Sequence, residues 1–256
     1  MASSTMWASG RYDAVGDRIA PIAGEVVAAA ARRVALQGAA VVDLACGTGS
    51  AALAAAARGA RVTGVDITPE LVAIAAQRAG AEAVDWRTGD AADTGLPVAS
   101  FDAAVSNMGI IFVDPEQQVP ELNRLLKPDA VLAFSAWVRT ASNPLFDPVV
   151  AVLGAPPTST FSPDQWSDPE ILAARLGPHF ANVDVERGDH RWEFASMSAA
   201  LHWLRAESPV HVETFRRADP DQQQRLAAEF EATLRPFEEP SGTVAFTSPY
   251  VVVCAS

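Results

Sequence analysis

The sequence has little cysteine, little positive charge and no long apolar run. Its 256 residues include two cysteines, too few for a disulfide framework and suited to a reducing compartment. Lysine plus arginine total 19 against 31 aspartate plus glutamate, a net charge of −12 without a basic stripe, so we expect no nucleic-acid partner. No apolar run reaches membrane-spanning length, and the start Met-Ala-Ser-Ser-Thr lacks the order of a secretion signal. These absences predict a cytoplasmic protein with no membrane span.

The chain does contain a strand, a glycine-bearing loop and a helix start between residues 39 and 57. Short apolar residues from Ala39 to Val42 lead into Asp43, a turn with Gly47 and Gly49 follows, and an alanine-rich run continues to Ala57. Glycine lets a backbone approach a ligand closely, and the first turn of a helix has free N–H groups. The pattern predicts a site for a nucleotide-type ligand.

Polar side chains stand at the ends of four predicted strands: Asp43, Asp66, Asn107 and, after Gly89, Asp90. Strands that alternate with helices predict a parallel sheet, and ligands of such sheets bind at the carboxyl ends of the strands. Asp66 ends the strand from Arg61 and is placed to accept hydrogen bonds from both hydroxyls of a ribose. The sequence therefore predicts a nucleoside cofactor on a Rossmann-like α/β sheet.

The glycine loop differs from the G-x-G-x-x-G pattern of dinucleotide enzymes, because Ala45 and Ala52 stand at the first and third glycine positions. The run Asp-Leu-Ala-Cys-Gly-Thr-Gly instead resembles the first motif of class I S-adenosylmethionine-dependent methyltransferases, in the small-molecule branch related to ubiquinone and menaquinone biosynthesis. The resemblance extends from Val41 to Trp137 and includes Gly89-Asp90-Ala91 and Lys127-Pro128. It implies a Rossmann-like, mostly parallel seven-stranded sheet with helices on both faces, an antiparallel last strand and a small helical substrate cover.

The resemblance also implies S-adenosyl-L-methionine as cofactor and S-adenosyl-L-homocysteine as product. Asp90 would receive the adenine amino group, the Ala91 N–H would meet the ring nitrogen, and Asn107 and Met108 would lie beside the methionine moiety. Trp7 and Tyr12 either form a lid over the cofactor or pack the first helix on the sheet. The implied cofactor-binding residues are Tyr12, Asp43, Ala45, Cys46, Gly47, Gly49, Asp66, Ile67, Asp90, Ala91, Asn107 and Met108.

Methyl transfer from a sulfonium uses an activated donor, so alignment of the reactants contributes most and a catalytic base is optional. His202, on a predicted helix with Trp203 and Arg205, is the best base candidate, although a helical histidine without a role fits the same pattern. Tryptophans at 137, 166, 192 and 203 either line a flat apolar acceptor site or belong to the core. We predict methyl transfer to oxygen, nitrogen or carbon of a small molecule by a monomer or homodimer without metal. The alternatives are an NAD(P)-dependent oxidoreductase and a protein that binds S-adenosylmethionine without catalysis.

Local patterns predict one domain in three parts: a lid segment and helix (1–38), the cofactor core (39–137), and the substrate cover with closing strands (138–256). The first helix is expected to begin at Pro21 and end before Gly38, and Pro120 is expected to kink or delay a helix after Asp114. Turns are expected at 127–130 and at Gly188, and short helices are expected at 145–153 and 169–176.

Overall fold

A computed structural model describes residues 4–156 and 159–256, so Met1 to Ser3 and, within the predicted cover, Pro157 and Thr158 lie outside the described residues. Seven strands form one sheet in the order β3-β2-β1-β4-β5-β7-β6. Strands β1 to β5 are parallel, and β7 runs antiparallel to both β5 and β6. The predicted topology is confirmed. The strands are β1 (Ala40–Leu44), β2 (Arg61–Asp66), β3 (Val84–Thr88), β4 (Phe101–Asn107), β5 (Leu126–Trp137), β6 (Val183–Phe194) and β7 (Val244–Ala255).

Helices flank the sheet, and several begin at a side-chain cap followed by proline, which has no N–H to leave unsatisfied. Asp114, Asp168 and Asp219 each accept a backbone N–H one turn into their helix. The helices are α1 (Ser4–Trp7), α2 (Tyr12–Ala31), α3 (Ser50–Ala56), α4 (Pro69–Ala75), α5 (Pro115–Leu125), α6 (Asp147–Leu153), α7 (Pro169–Leu176), α8 (Met197–Ala206), α9 (Pro209–Arg217) and α10 (Pro220–Leu234).

The core lies between the central strands and these helices. Residues Val131 to Ala136 of β5 are buried on both faces, as expected for a strand inside a parallel sheet covered by helices. Helix α2 packs on α3 and on strands β4, β5 and β7. The central strands are thus held rigidly, and their carboxyl ends are fixed relative to one another.

The predicted start and end of the first helix are wrong. Helix α2 begins at Tyr12, contains Pro21 and ends at Ala31. Pro21 removes the hydrogen bond to the Asp17 carbonyl, but both residues face solvent, where water can replace it. Helix α5 likewise starts at Pro115 and continues through the exposed Pro120, so the proline does not delay it.

The two predicted turns are also wrong. Residues 127–130 lie inside β5, where Asp129 has φ 62° and the register shifts, since Phe101 pairs with Leu126 but Ala103 pairs with Val131. The segment is therefore a bulge. Gly188 lies inside the continuous strand β6, where a Cβ would lie 2.4 Å from the Tyr250 ring. Glycine is needed there for close packing and not for a turn.

Candidate active site

A cleft opens at the carboxyl edge of the sheet, where the loops after β1, β2, β3 and β4 meet the N-terminal segment. The predicted cofactor residues that line it are Tyr12, Ala45, Asp66, Ile67, Asp90, Ala91 and Met108. The predicted residues Asp43, Cys46, Gly47, Gly49 and Asn107 lie outside this lining. The strand-end pattern therefore brings most of the expected residues to one place.

The loop after β1 has an unusual backbone. Ala45, Gly47 and Gly49 have φ of 53°, 54° and 83°. A Cβ on Gly49 would lie 2.4 Å from the Trp86 ring, which is fixed by a 3.0 Å hydrogen bond from its Nε1 to the Ala81 carbonyl. Ala45 is not glycine, so its left-handed conformation carries backbone strain. The loop is held in a conformation that the local sequence alone does not favour.

Asp66 connects the loops after β1 and β2. Its Oδ2 accepts the Gly47 N–H at 2.8 Å and its Oδ1 accepts the Thr68 N–H at 2.8 Å. The residue is 6% exposed, and burial raises the pKa of its carboxyl group. Each carboxylate oxygen can accept more than one hydrogen bond, so these contacts leave Asp66 able to accept from a ligand in the cleft.

Asp43 lies beneath the same loop and is 1% exposed. Its Oδ2 accepts the Ala52 N–H at 2.7 Å, whereas its Oδ1 has no hydrogen-bond partner among the described residues. Burial is the main cause that raises the pKa of Asp43 to about 8, and the nearby Asp66 carboxylate adds to the shift. Asp43 therefore connects the end of β1 to the start of α3 beneath the loop after β1.

The end of β4 is fixed by a chain of hydrogen bonds. The Met108 N–H donates to Ser135 Oγ at 3.0 Å, and this hydroxyl donates to Asn107 Oδ1 at 2.8 Å. Asn107 Nδ2 donates to the Ile19 carbonyl in α2 at 3.2 Å. Asn107 thus joins three elements and turns away from the cleft lining, while Met108, with φ 55°, lines it.

An aromatic wall covers one side of the cleft. Trp7 meets the edge of Tyr12 with ring centroids 5.9 Å apart and packs against Phe112 at 4.8 Å. The Tyr12 ring lies over the loop, since a Cβ on Gly47 would be 3.0 Å from Tyr12 Cε1. Burial raises the pKa of the Tyr12 phenol above its usual range. Both residues considered for a lid therefore contact the cleft.

His202 lies elsewhere. Its side chain is 69% exposed, and its Nε2 lies 3.9 Å from Glu207 Oε1 on the outer surface of α8, whose opposite face buries Trp203. It does not line the cleft, so its assignment as base stays a prediction that this geometry does not support. Among the described residues, the lining contains no histidine, lysine or arginine, and the four tryptophans considered for the acceptor site do not line it.

The remaining lining residues were only partly foreseen. Phe112 and Val113 belong to the apolar loop that follows Met108 after β4. Asp114 is readable from sequence only as the cap of α5, and Phe161 has no sequence signal, because it reaches the cleft from a segment without regular structure. Among the described residues, no cluster of three potential ligands could hold a metal ion, and no helix is long and apolar enough to cross a membrane.

Comparison with known proteins places this site in a family. Residues 42–134 match the model of a methyltransferase domain. A demethylmenaquinone methyltransferase from Clavibacter sepedonicus is 37% identical over 112 residues, 43% of this chain and 40% of that protein. Residues 42–134 are therefore a methyltransferase domain, of the class I S-adenosylmethionine-dependent type.

One further relative and one solved structure of the same fold extend the similarity beyond the core of this methyltransferase. An uncharacterized protein from Mycobacterium tuberculosis is 27% identical over 188 residues, 72% of this chain and 68% of that protein. The structure of Haemonchus contortus phosphoethanolamine N-methyltransferase 2 with S-adenosylhomocysteine has a TM-score of 0.53 at 17% identity, over 90% of this chain and 52% of that one. The matched residues 42–134 contain β2 to β4 and most of β1 and β5, the strands that position the cleft.

Proposed function

We propose that the cleft binds S-adenosylmethionine and that the methyltransferase transfers its methyl group to a small-molecule acceptor. The observation that carries the proposal is the position of Asp66. A buried acid at the end of β2 lines the cleft and simultaneously holds the N–H of Gly47 in the loop after β1. An acid at this place suits the two hydroxyls of a ribose.

The charge of the lining fits this cofactor better than a dinucleotide. Asp66, Asp90 and Asp114 line the cleft, and no basic side chain does so within the described residues. A pyrophosphate would meet carboxylates there without an opposing cation, which is electrostatically unfavourable. This observation argues against the alternative of an NAD(P)-dependent oxidoreductase.

The residues of the chain act mainly by positioning. Asp66 and the Asp90–Ala91 turn would hold the nucleoside, and Met108 would contact the methionine moiety. Tyr12 and Trp7 would exclude water from the reacting atoms. When bound, S-adenosylmethionine supplies a methyl group already activated by a positively charged sulfur. Alignment of the acceptor can lower the barrier by about 7–11 kcal/mol, so methyl transfer does not require a histidine in the cleft.

We also propose that the chain is one domain whose parts 1–38, 39–137 and 138–256 provide the lid, the cofactor core and the substrate cover. The relative named a demethylmenaquinone methyltransferase supports an acceptor of small-molecule size. Because the match spans 40% of that protein, the demethylmenaquinone acceptor itself is not carried over to this chain.

A thermal-shift and calorimetric titration with S-adenosylmethionine, S-adenosylhomocysteine, NAD⁺ and NADP⁺ tests the cofactor. Ligand at a hundred times its Kd adds about 2.7 kcal/mol, which corresponds to roughly 5–10 °C in Tm for a chain of this size. We expect this shift with the two sulfur compounds alone. A shift with only a dinucleotide would overturn the proposal.

The Asp66→Ala variant tests the residue assignment. Loss of hydrogen bonds to a charged acceptor should weaken S-adenosylhomocysteine binding by about 2–4 kcal/mol in calorimetry. The matched control is Asp43→Asn, because Asp43 also holds a backbone N–H of the loop region but lies outside the cleft. An equal loss in both variants would mean that Asp66 acts only by stabilising the loop, and an unchanged affinity would remove the assignment altogether.

Turnover separates catalysis from mere binding. The enzyme is incubated with S-adenosylmethionine and panels of phenols, amines and quinone precursors, and release of S-adenosylhomocysteine is measured. We expect release above background with at least one acceptor. Background values throughout, with intact cofactor binding, would favour the non-catalytic alternative.

A further inference from the structure

The cleft has two halves built from different elements. The cofactor half consists of the strand-end residues at Ala45, Asp66, Asp90 and Met108 together with their neighbours. The acceptor half is defined here as Trp7, Phe112, Val113, Asp114, Gln117 and Phe161, which come from the N-terminal segment, the loop after β4, the start of α5 and the cover. Methyl transfer requires donor and acceptor to meet, so the second substrate is expected to contact the acceptor half. Helix α5 lies beside the cofactor half as well, since Gln118 Nε2 donates to the Ala91 carbonyl at 3.1 Å.

The surface of the acceptor half is mainly aromatic. Trp7 and Phe112 pack at 4.8 Å with their ring planes at 63°, and Phe161 approaches from the cover. All three side chains are only partly buried, so carbon surface remains open to a ligand. Aromatic rings of this kind favour contact with another flat apolar group.

Asp114 is the one charged side chain among the described residues of the acceptor half. Its Oδ1 accepts the Glu116 N–H at 3.0 Å as the cap of α5. Its Oδ2 makes no hydrogen bond to any residue of 4–156 or 159–256, so this oxygen can accept one from a ligand. A carboxylate accepts hydrogen bonds and repels another anion.

Arg175 is a cation that interacts with Asp114 without lining the cleft. The Arg175 guanidinium stacks over Trp166 at 4.7 Å and donates to Gln165 Oε1 at 2.7 Å, outside the lining. Burial lowers the pKa of Arg175, and the charge of Asp114 partly opposes that shift, so the two groups interact at a distance. Of these two charged groups, only the Asp114 carboxylate lines the cleft.

We propose that Asp114 determines acceptor specificity: the acceptor is a flat, apolar molecule without phosphate or carboxylate, and its hydroxyl or amino group donates a hydrogen bond to Asp114 Oδ2. The proposal rests on the proposed function, because it assigns the second substrate of the same cleft. It separates this enzyme from methyltransferases whose acceptors carry phosphate.

Binding of two matched probes to the S-adenosylhomocysteine complex tests the proposal by calorimetry. The probes are 2-naphthol and 6-hydroxy-2-naphthoate, which share the rings and the hydroxyl group and differ in one carboxylate. We expect 2-naphthol to bind at least about tenfold more tightly, since tenfold corresponds to only about 1.4 kcal/mol of repulsion. In Asp114→Asn this ratio should fall to within about threefold, because the repelling charge is gone.

Two controls keep folding and binding apart. Asparagine is a good helix cap, so Asp114→Asn should retain α5. Asp219→Asn makes the same change at the cap of α10, where Asp219 accepts the Gln222 N–H at 2.8 Å outside the cleft, and should leave the probe ratio unchanged.

A second pair of variants tests the aromatic surface of the acceptor half. Phe161→Ala should weaken 2-naphthol binding about tenfold. Phe146→Ala, at a 47% exposed position outside the cleft, should leave this binding unchanged.

The outcomes distinguish the two proposals. If S-adenosylhomocysteine binds but the naphthoate binds as tightly as naphthol, the ratio persists in Asp114→Asn, or neither probe binds, the acceptor assignment is overturned and the cofactor assignment stands. If S-adenosylhomocysteine does not raise Tm, the proposed function itself fails and the acceptor assignment fails with it.

Discussion

Asp43 is a buried carboxyl group whose pKa is not lowered by any cation among residues 4–156 and 159–256, so the direction in which stability changes with pH can be predicted. Burial raises its pKa from the ordinary 3.8 to about 8 in the folded protein. Between these values the folded state holds a proton that the unfolded state has released, so stability falls by about 1.4 kcal/mol for each pH unit of increase. The contribution is complete below pH 3.8 and is lost as the pH rises through about 8.

Asp43→Asn should therefore flatten the pH dependence of stability. Urea unfolding of the cofactor-free protein at pH 5 and pH 8.5 is the measurement. We expect the wild type to lose on the order of 2–4 kcal/mol more than the variant over this range. The slope should shrink and not vanish, because the pKa of Asp66 is raised in the same direction. Parallel slopes for the two proteins would mean that Asp43 is ionised in the folded state at pH 5.

Single site residues could be predicted where they end a strand, and less well where they lie on helices and in the cover. Asp66 and Asp90 follow apolar strands whose ends must meet at one edge. His202 was expected on a helix near other aromatic residues, but helical spacing alone does not say which face packs on the sheet. Asp114 has the sequence pattern of an ordinary cap, and its proposed second role follows only from its position in the same cleft lining as Phe112 and Phe161.

The glycine loop is an element whose conformation depends on a side chain far along the chain. Gly49 and Gly80 both have φ 83°, but a Cβ on Gly49 would lie 2.4 Å from the Trp86 ring, whereas a Cβ on Gly80 would have no neighbour within 4 Å. Gly80→Ala should cost about 1–2 kcal/mol for the left-handed conformation. Gly49→Ala should cost about 1–3 kcal/mol more, because the loop or the indole must move.

Urea unfolding of the two glycine variants separates these contributions. The same backbone angle makes Gly80→Ala a matched control for the conformational cost. Equal losses of stability would show that the Trp86 ring yields easily and that packing beneath the loop is loose. S-adenosylhomocysteine affinity should fall only in Gly49→Ala, since the loop borders the cleft and Gly80 does not.

At the level of elements, the sequence predicts that a helix is present more accurately than it predicts the residues at which the helix begins and ends. Helix α7 begins and ends as predicted, since Asp168-Pro169 gives both a cap and a first helical residue. Pro21 fails as a start signal because a proline inside a helix is tolerated where its unbonded carbonyl faces water. Helix α9 was missed, although Ser208-Pro209 precedes it in the same way.

At the scale of the whole molecule, strands outside the matched family region complete its sheet. Strand β5 pairs on one side with β4 and on the other with β7, which connects Leu132 to Ala255 and Trp137 to Tyr250. Alternation of strands and helices predicted the parallel part of the sheet. The extent of β6 and its continuity through Gly188 depend on the Tyr250 ring, a contact that no local pattern in either segment indicates.

A chain ending at residue 137 should therefore fail to fold cooperatively. Removal of 138–256 exposes the edge of β5 and uncovers Phe134, which packs at 5.3 Å against Trp166. It also removes the 2.7 Å hydrogen bond from the Tyr250 hydroxyl to Glu25 in α2. An unpaired apolar edge strand promotes aggregation.

We expect the full chain to unfold in one transition that coincides by circular dichroism and fluorescence. In size-exclusion chromatography we expect residues 1–137 to elute as aggregates. A chain of residues 11–256, which lacks residues 1–10 and with them α1, is the control and should unfold like the full chain. A monomeric 1–137 with its own cooperative transition would instead make the cofactor core an independent domain.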